Sequence, residues 1–227
     1  MTTRQGLISL CGRFSFAYED FSAIIEYFGI GRVSEAYERR WNIAPSQQIP
    51  AILADGSERR FGTLKWGLLP AAWNGGGPKP INTRTETISR NPVFRNLLQR
   101  RRVAIPATGY YEWHHSTRQP FNIRPKSREP FAFAGLWDTC ELENGETLHT
   151  CSIVTAAAPQ RMKGLHDRVP VILPRQALGT WLDRTVSDYD QLMHLLEPYP
   201  EDDMEWYEVN PMVGNVRNDV PECVMPI

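Results

Sequence analysis

Apolar residues recur at helical spacing in the first part of the chain. Phe21, Ile24, Ile25 and Phe28 occupy positions i, i+3, i+4 and i+7 of the stretch AYEDFSAIIEYFG. This spacing places the four side chains on one face of a helix, which predicts an amphipathic helix. Gly29 follows directly, and glycine adopts the left-handed conformation that commonly ends a helix.

A second apolar pattern of the same kind lies in the stretch NPVFRNLLQRRR. Asn91 is suited to cap the first turn, and Pro92 fits the first helical position because its missing N–H is not needed there. Phe94, Leu97 and Leu98 then form an apolar face. Two further helices are predicted over residues 174–182 and 187–196.

Between the helices, the pattern changes to short runs rich in aromatic and β-branched residues, which predict strands. Asn144-Gly145 is a strong signal for a two-residue hairpin and should join PFAFAGLWD to LHTCSIV. Many short strands with a few helices indicate a single α+β domain built on a curved, largely antiparallel sheet or barrel. The other strand-like runs are IPAILA, RFGTLKWGLL, RRVAIP, GYYEWH, PFNIR, VPVIL and MEWYEV.

Composition narrows the class of protein. The 227 residues are 41% hydrophobic, which suits one large soluble domain. The net charge of −1 means that any nucleic acid would have to be bound in a local basic groove. Four cysteines without a CxxC pair favour a reduced, intracellular protein. No apolar run approaches the roughly 18 residues of a membrane span, and the N-terminus lacks the apolar region of a signal peptide, so we expect a cytoplasmic location.

Four polar clusters are candidates for chemistry, and each has a plainer structural interpretation. A lone cysteine such as Cys11 is more often a small buried thiol than a nucleophile, and Glu112 is consistent with a strand residue that faces solvent. The spacing of these residues does not decide between the interpretations. The clusters are Cys11-Gly12-Arg13; Asn82, Arg84 and Glu86 in INTRTET; Glu112 in GYYEWHH; and His166, Asp167 and Arg168 in GLHDRVPVIL.

A metal site is not predicted. His114 and His115 are adjacent, so they cannot share one face of a helix or strand. Cys140 and Cys151 flank the predicted hairpin, where packing is the expected role. We therefore expect neither a metal nor another cofactor.

Taken in order, nine segments resemble the SOS response-associated peptidase family, whose members are abasic site processing proteins. The resemblance extends from Cys11 to about Asn218, nearly the whole chain. The segments are CGRF, WNIAPSQQIPAI, WGLLPAAW, INTRTET, RRVAIPATGYYEW, PFAFAGLWD, IVTAAA, LHDRVPVIL and VGNVRN.

The resemblance implies twisted, mostly antiparallel β-sheets that form a partly open barrel with flanking helices. Residues 11–227 would form this single domain, and residues 1–10 would be an N-terminal extension. It further implies a monomer that responds to DNA damage in the cytoplasm, at the nucleoid. Such proteins bind single-stranded DNA at abasic sites and form a covalent thiazolidine through an N-terminal cysteine. The family's peptidase character, of hydrolase or lyase class, is then self-processing that exposes this cysteine.

The resemblance also assigns roles to individual residues. Cys11 would form the crosslink, and Glu112 would handle protons at its α-amine and at the ring-opened sugar. His166 titrates near neutrality and would shuttle a proton. Asn82 would hydrogen-bond the lesion or position the N-terminal residue.

A second set of residues would contact the DNA. Arg13 and Arg84 are suited to hold phosphates on either side of the lesion, since guanidinium binds phosphate in bidentate fashion. Trp66 and Trp73 are candidates for base stacking, with core packing as the alternative for each. Pro45 would line the same surface.

The chain departs from the family pattern before Cys11. Ten residues precede this cysteine, so its nitrogen is an amide, which does not condense with an aldehyde. Three explanations are open: translation begins at residue 10, the protein cleaves its own Leu10–Cys11 bond, or this copy has lost the covalent activity. A non-covalent single-stranded DNA binder and a general cysteine peptidase are the alternative functions.

Overall fold

The computed structural model describes residues 11–36, 38–56, 58–71 and 79–227. The extension predicted over residues 1–10 and the candidate stacking residue Trp73 lie outside these ranges. The described strands are β1 (Phe14–Phe16), β2 (Ile30–Val33), β3 (Arg40–Ile43), β4 (Gln48–Asp55), β5 (Glu58–Trp66), β6 (Asn82–Arg84), β7 (Arg102–Ala107), β8 (Gly109–Trp113), β9 (Pro120–Pro125), β10 (Phe131–Glu141), β11 (Thr147–Ala157), β12 (Arg168–Pro170), β13 (Ile172–Leu173) and β14 (Met204–Glu208).

Helices lie between and beside these strands. The α-helices are α1 (Phe21–Phe28), α2 (Thr85–Arg90), α3 (Pro92–Arg100), α4 (Leu178–Leu182) and α5 (Tyr189–His194). Single 3₁₀ turns lie at Gln160–Met162, Arg175–Ala177, Glu201–Asp203, Pro211–Gly214 and Pro221–Val224.

The barrel predicted from the sequence is present, and five of its strands form a closed ring. In the larger sheet, β11, β10, β7, β4 and β5 are paired in that order, and β5 pairs again with β11. The closing pair is parallel, with Thr150 beside Lys65 and Cys151 beside Trp66. Closure removes exposed strand edges from this part of the sheet. The parallel register joins segments far apart in sequence, which local patterns do not reveal.

The smaller sheet carries the start of the described chain. Its strand order is β14-β9-β8-β1-β3, and neighbouring strands in it are antiparallel. In the pairing of β1 with β8, Phe14 lies opposite Tyr110 and Ser15 opposite Gly109. Because antiparallel strands run in opposite directions, the residues before Phe14 approach those after Tyr110. This register sets the position of the candidate site.

The predicted helices α1 and α3 are confirmed together with their end signals. Asp20 caps α1 by accepting a hydrogen bond from the N–H of Ser22, and Gly29 ends it with a φ of 60°. Asn91 caps α3 through the N–H of Val93. The segment 174–182 forms a 3₁₀ turn and a short α-helix, and INTRTET forms β6 and the start of α2.

Candidate active site

Cys11 lies three residues before the start of β1 and is buried, with 3% of its surface exposed. Its backbone N–H donates a hydrogen bond to Glu112 Oε1 at 2.9 Å. Its thiol Sγ lies 3.8 Å from the carbonyl oxygen of Arg168, a weak hydrogen bond. The φ of Cys11 is 36°, a left-handed conformation that is strained for a residue with a side chain. The register of β1 with β8 thus brings a cysteine and a carboxyl group together although 101 residues separate them.

Glu112 is buried, with 2% of its surface exposed, so the interpretation as a solvent-facing strand residue is wrong. Burial raises the pKa of its carboxyl from 4.5 to about 8, because a charge is poorly stabilised away from water. Burial and the neighbouring Glu112 carboxylate raise the pKa of the Cys11 thiol well above its usual range. Near neutral pH the pair therefore holds a neutral thiol beside a carboxyl that readily gains or loses a proton.

His166 is buried and contacts Arg168, the residue whose carbonyl faces the Cys11 thiol. Its Nδ1 accepts a hydrogen bond from the backbone N–H of Arg168 at 3.0 Å. An accepting Nδ1 carries no proton, so the neutral ring carries its proton on Nε2. Burial lowers the pKa of this imidazole, which favours the neutral form. The ring of His115, which sequence reasoning set aside, stacks against His166 with centroids 5.7 Å apart.

Arg168, which the sequence placed in a candidate cluster without giving it a role of its own, connects these residues. Its carbonyl oxygen faces the Cys11 thiol and its N–H faces His166. Its guanidinium makes two hydrogen bonds to the carboxylate of Glu86, at 2.7 and 3.0 Å. The structure therefore joins Cys11, Glu112, His166, Arg168 and Glu86 through direct contacts.

Asn82 lies on β6, which is connected to the site through β11. Asn82 pairs with Ile153 of β11, and Thr155 two residues further along lies opposite Arg84. β12, which begins with Arg168, pairs with β11 as well. Asn82 is half-buried. Its strand β6 and the strand of Arg168, β12, both pair with β11.

The residues predicted to contact DNA separate into distinct environments. Arg84 is exposed, and Pro45 is half-buried in the turn between β3 and β4. Arg13 contacts two distant parts of the chain: its Nη1 donates to Asn42 Oδ1 at 2.8 Å and to the Val213 carbonyl at 2.7 Å. These contacts anchor Arg13, and its contact with a phosphate stays a prediction.

Trp66 does not form a base-stacking surface, and the core-packing alternative is the one that holds. It is 1% exposed, and its ring meets that of Phe14 edge-on with centroids 5.4 Å apart. Its indole N–H donates to the Ile81 carbonyl at 2.8 Å. Trp66 is the last residue of β5, and the burial of its ring against Phe14 of the smaller sheet leaves no face open to a base.

Within residues 11–36, 38–56, 58–71 and 79–227, no group of three or more His, Cys, Asp or Glu side chains is arranged to hold a metal ion. No helix formed by these residues combines the length and the apolar character needed to cross a membrane.

Comparison with known proteins identifies the family. The family model described as SOS response associated peptidase matches residues 10–216. The abasic site processing protein YoqW of Bacillus subtilis is 41% identical over 222 residues, covering 95% of this chain and 99% of the relative. The abasic site processing protein YedK of Escherichia coli is 29% identical over 233 residues, and the match covers 96% of this chain and 100% of the relative.

The fold is shared with solved structures as well. The crystal structure of a protein from Bacteroides thetaiotaomicron superposes with a TM-score of 0.83 at 23% identity, covering 96% of this chain and all of that one. The order of the sequence segments, the family model and the shared fold agree. The chain belongs to the SOS response associated peptidase family.

Proposed function

We propose that this protein captures abasic sites in single-stranded DNA and crosslinks to them through Cys11 as a thiazolidine. The observation that carries the proposal is the 2.9 Å contact between the Cys11 nitrogen and a buried carboxyl group of raised pKa. Relatives that match nearly the full chain are described as abasic site processing proteins.

The chemistry requires both the nitrogen and the sulfur of Cys11. An abasic site exists partly as a ring-opened aldehyde. The α-amine adds to the aldehyde carbon, and loss of one water gives an iminium ion. The thiol sulfur then attacks the same carbon, its proton leaves to a nearby base, and the C=N electron pair moves to nitrogen. The product is a five-membered ring that holds both atoms on one carbon. It lasts longer than the labile hemithioacetal that the thiol alone would give or the hydrolysable imine that the amine alone would give.

Glu112 is suited to move protons in these steps. Protonated, it donates to the departing hydroxyl; ionised, it stabilises the iminium ion and accepts the thiol proton. Burial raises the pKa of Glu112 to about 8 while the Cys11 nitrogen is an amide, so its protonated form is accessible near neutral pH. The ammonium group of a freed Cys11 would favour the ionised form beside it. His166, with its proton on Nε2, offers a second donor for ring opening of the sugar.

DNA would reach this site along the surface that carries Arg84. The exposed guanidinium of Arg84 is suited to a phosphate, while Asn82 on the same strand is suited to hydrogen-bond the lesion. The half-buried Pro45 would line the path. We expect such a protein to act as a monomer at the nucleoid, in the cytoplasm.

Crosslinking requires a free amine on Cys11. Some leucine codons initiate translation in bacteria and insert methionine. Initiation at Leu10, followed by removal of that methionine, supplies the free amine directly. Hydrolysis of the Leu10–Cys11 amide supplies it as well: one water is consumed, a carboxylate forms on Leu10 and an amine on Cys11. We favour the first route, and the second gives the family's peptidase character a role in this chain. The mass of the protein expressed from its own gene shows whether the chain begins at Cys11, as both routes require, or retains residues 1–10.

A gel experiment tests the proposal with protein that begins at Cys11. Incubation with a single-stranded oligonucleotide that holds one abasic site should give a shifted band that survives heating. Cys11→Ser keeps the amine but lacks the thiol, so it should form an imine that borohydride traps and heat destroys. Binding without a heat-stable band would indicate a non-covalent DNA binder, and turnover of added peptides a general peptidase; either result contradicts the proposal.

A further inference from the structure

One backbone unit contacts two of the reactive groups. The N–H of Arg168 donates to His166 Nδ1 at 3.0 Å, and its carbonyl oxygen lies 3.8 Å from the Cys11 sulfur. The placement of the Arg168 backbone therefore determines where the imidazole proton resides and where the thiol points. A small displacement of this residue would change both.

The side chain of Arg168 holds this backbone in place. Its side chain is 11% exposed, and the two hydrogen bonds to Glu86 have the parallel geometry of a strong guanidinium–carboxylate pair. Nη2 also donates to the Thr155 carbonyl at 2.6 Å. The contact with Arg168 lowers the pKa of Glu86 to about 2, so the pair remains charged at any pH at which the protein works.

The ion pair also spans the sheet at the site. Glu86 lies in the first turn of α2, which follows β6 directly, and Arg168 begins β12. β6 and β12 both pair with β11, with Thr155 opposite Arg84 on one side and opposite Pro170 on the other. The pair thus crosses β11 and ties the strand of Asn82 to the strand that follows His166.

We propose that Glu86 is a positioning residue, which through its ion pair with Arg168 holds the His166 imidazole with its proton on Nε2 and aligns the Cys11 thiol. The inference rests on the proposed function for its consequence, since the aligned groups are those of the crosslinking reaction. The effect of Glu86 on the His166 tautomer concerns the protein without DNA, so it can be tested separately.

The first test measures the tautomer of His166 in the full-length protein. In Glu86→Gln the amide retains the shape but loses the charge, so the Arg168 backbone should loosen and its hydrogen bond to Nδ1 should weaken. Nitrogen-15 NMR of the histidine ring should show the Nε2–H form in the wild type and a mixture of tautomers in the variant. Glu205→Gln is the control, because Glu205 pairs with Arg124 at 2.7 Å in the other sheet. It should match the wild type.

The second test measures the rate of crosslinking by protein whose mass shows that it begins at Cys11. Glu86→Gln should lower the rate at saturating DNA by roughly 10-fold, because displaced reacting groups lose that much or more. Glu205→Gln should not change it. Unchanged His166 signals in a folded Glu86→Gln protein would overturn the inference. If the wild type forms no adduct, the proposed function fails, and the tautomer measurement still decides the role of Glu86.

Discussion

Replacing Glu112 with glutamine should change how the stability of the protein depends on pH. Burial raises the pKa of Glu112 from 4.5 to about 8 in the folded protein, whereas the unfolded chain returns it to its ordinary value. Between these two pH values the folded state binds more protons than the unfolded state. The free energy of unfolding must therefore fall as pH rises through this window.

The magnitude follows from the width of the window. Each pH unit in which the two states differ by one proton changes the free energy of unfolding by about 1.4 kcal/mol. From pH 5 to pH 9, Glu112 alone should therefore destabilise the wild type by about 4 kcal/mol. Glu112→Gln removes this titration, yet its amide oxygen can still accept the hydrogen bond from the Cys11 N–H.

Urea unfolding of the full-length wild type and Glu112→Gln at pH 5, 6, 7, 8 and 9 measures the difference. The two free energies of unfolding should diverge with rising pH, in favour of the variant, because all other titrating groups are common to both proteins. Curves that remain parallel across this range would refute the assignment. In protein that begins at Cys11, the adjacent ammonium group favours the carboxylate, so the divergence should shrink.

Three further predictions address packing, anchoring and DNA binding. Trp66→Ala should reduce the free energy of unfolding by about 3–5 kcal/mol in urea titrations, because it empties a core position against Phe14. Asp219→Ala should cost about 3 kcal/mol by the same measurement, since Asp219 accepts from the N–H groups of Trp41 and Asn42 at 2.6 and 3.0 Å. Arg84→Ala should leave the melting temperature unchanged and reduce the slope of log affinity against log salt by about 0.7, measured by fluorescence anisotropy with single-stranded DNA.

Local sequence signals predicted most helices and strands of this fold, but they did not predict which distant strands pair. The apolar spacing and the end signals of α1 and α3 depend on interactions within a few residues. The predicted hairpin between β10 and β11 is present too, but β10 ends at Glu141 and β11 begins at Thr147, so its loop is longer than the predicted two residues. The parallel pairing of β5 with β11 depends on segments more than 80 residues apart. The burial of Trp66 against Phe14 is also a contact between distant segments, which explains why the sequence left its role undecided.

In the candidate site, too, the sequence identified individual residues but not the long-range contacts between them. The motifs identified Cys11, Glu112 and His166, and the register of β1 with β8 explains the contact between the first two. The role of Arg168 as a link between them was not predicted, because its contacts use its backbone atoms, which any residue possesses. Its partner Glu86 is 82 positions away, and no spacing rule connects them.

The anchoring of Arg13 has a consequence for how the protein is made. The strand that follows Cys11 is fastened through Arg13 to the carbonyl of Val213, a contact between residues 200 positions apart. Cys11 precedes the other residues of the candidate site along the chain, but the contact of Arg13 with Val213 forms only after Val213 has emerged from the ribosome. Contacts of such separation also slow folding, because the intervening chain must be ordered first. Cys11 is thus the earliest part of the candidate site to be synthesised, whereas one of the contacts that hold its neighbour Arg13 is among the last to form.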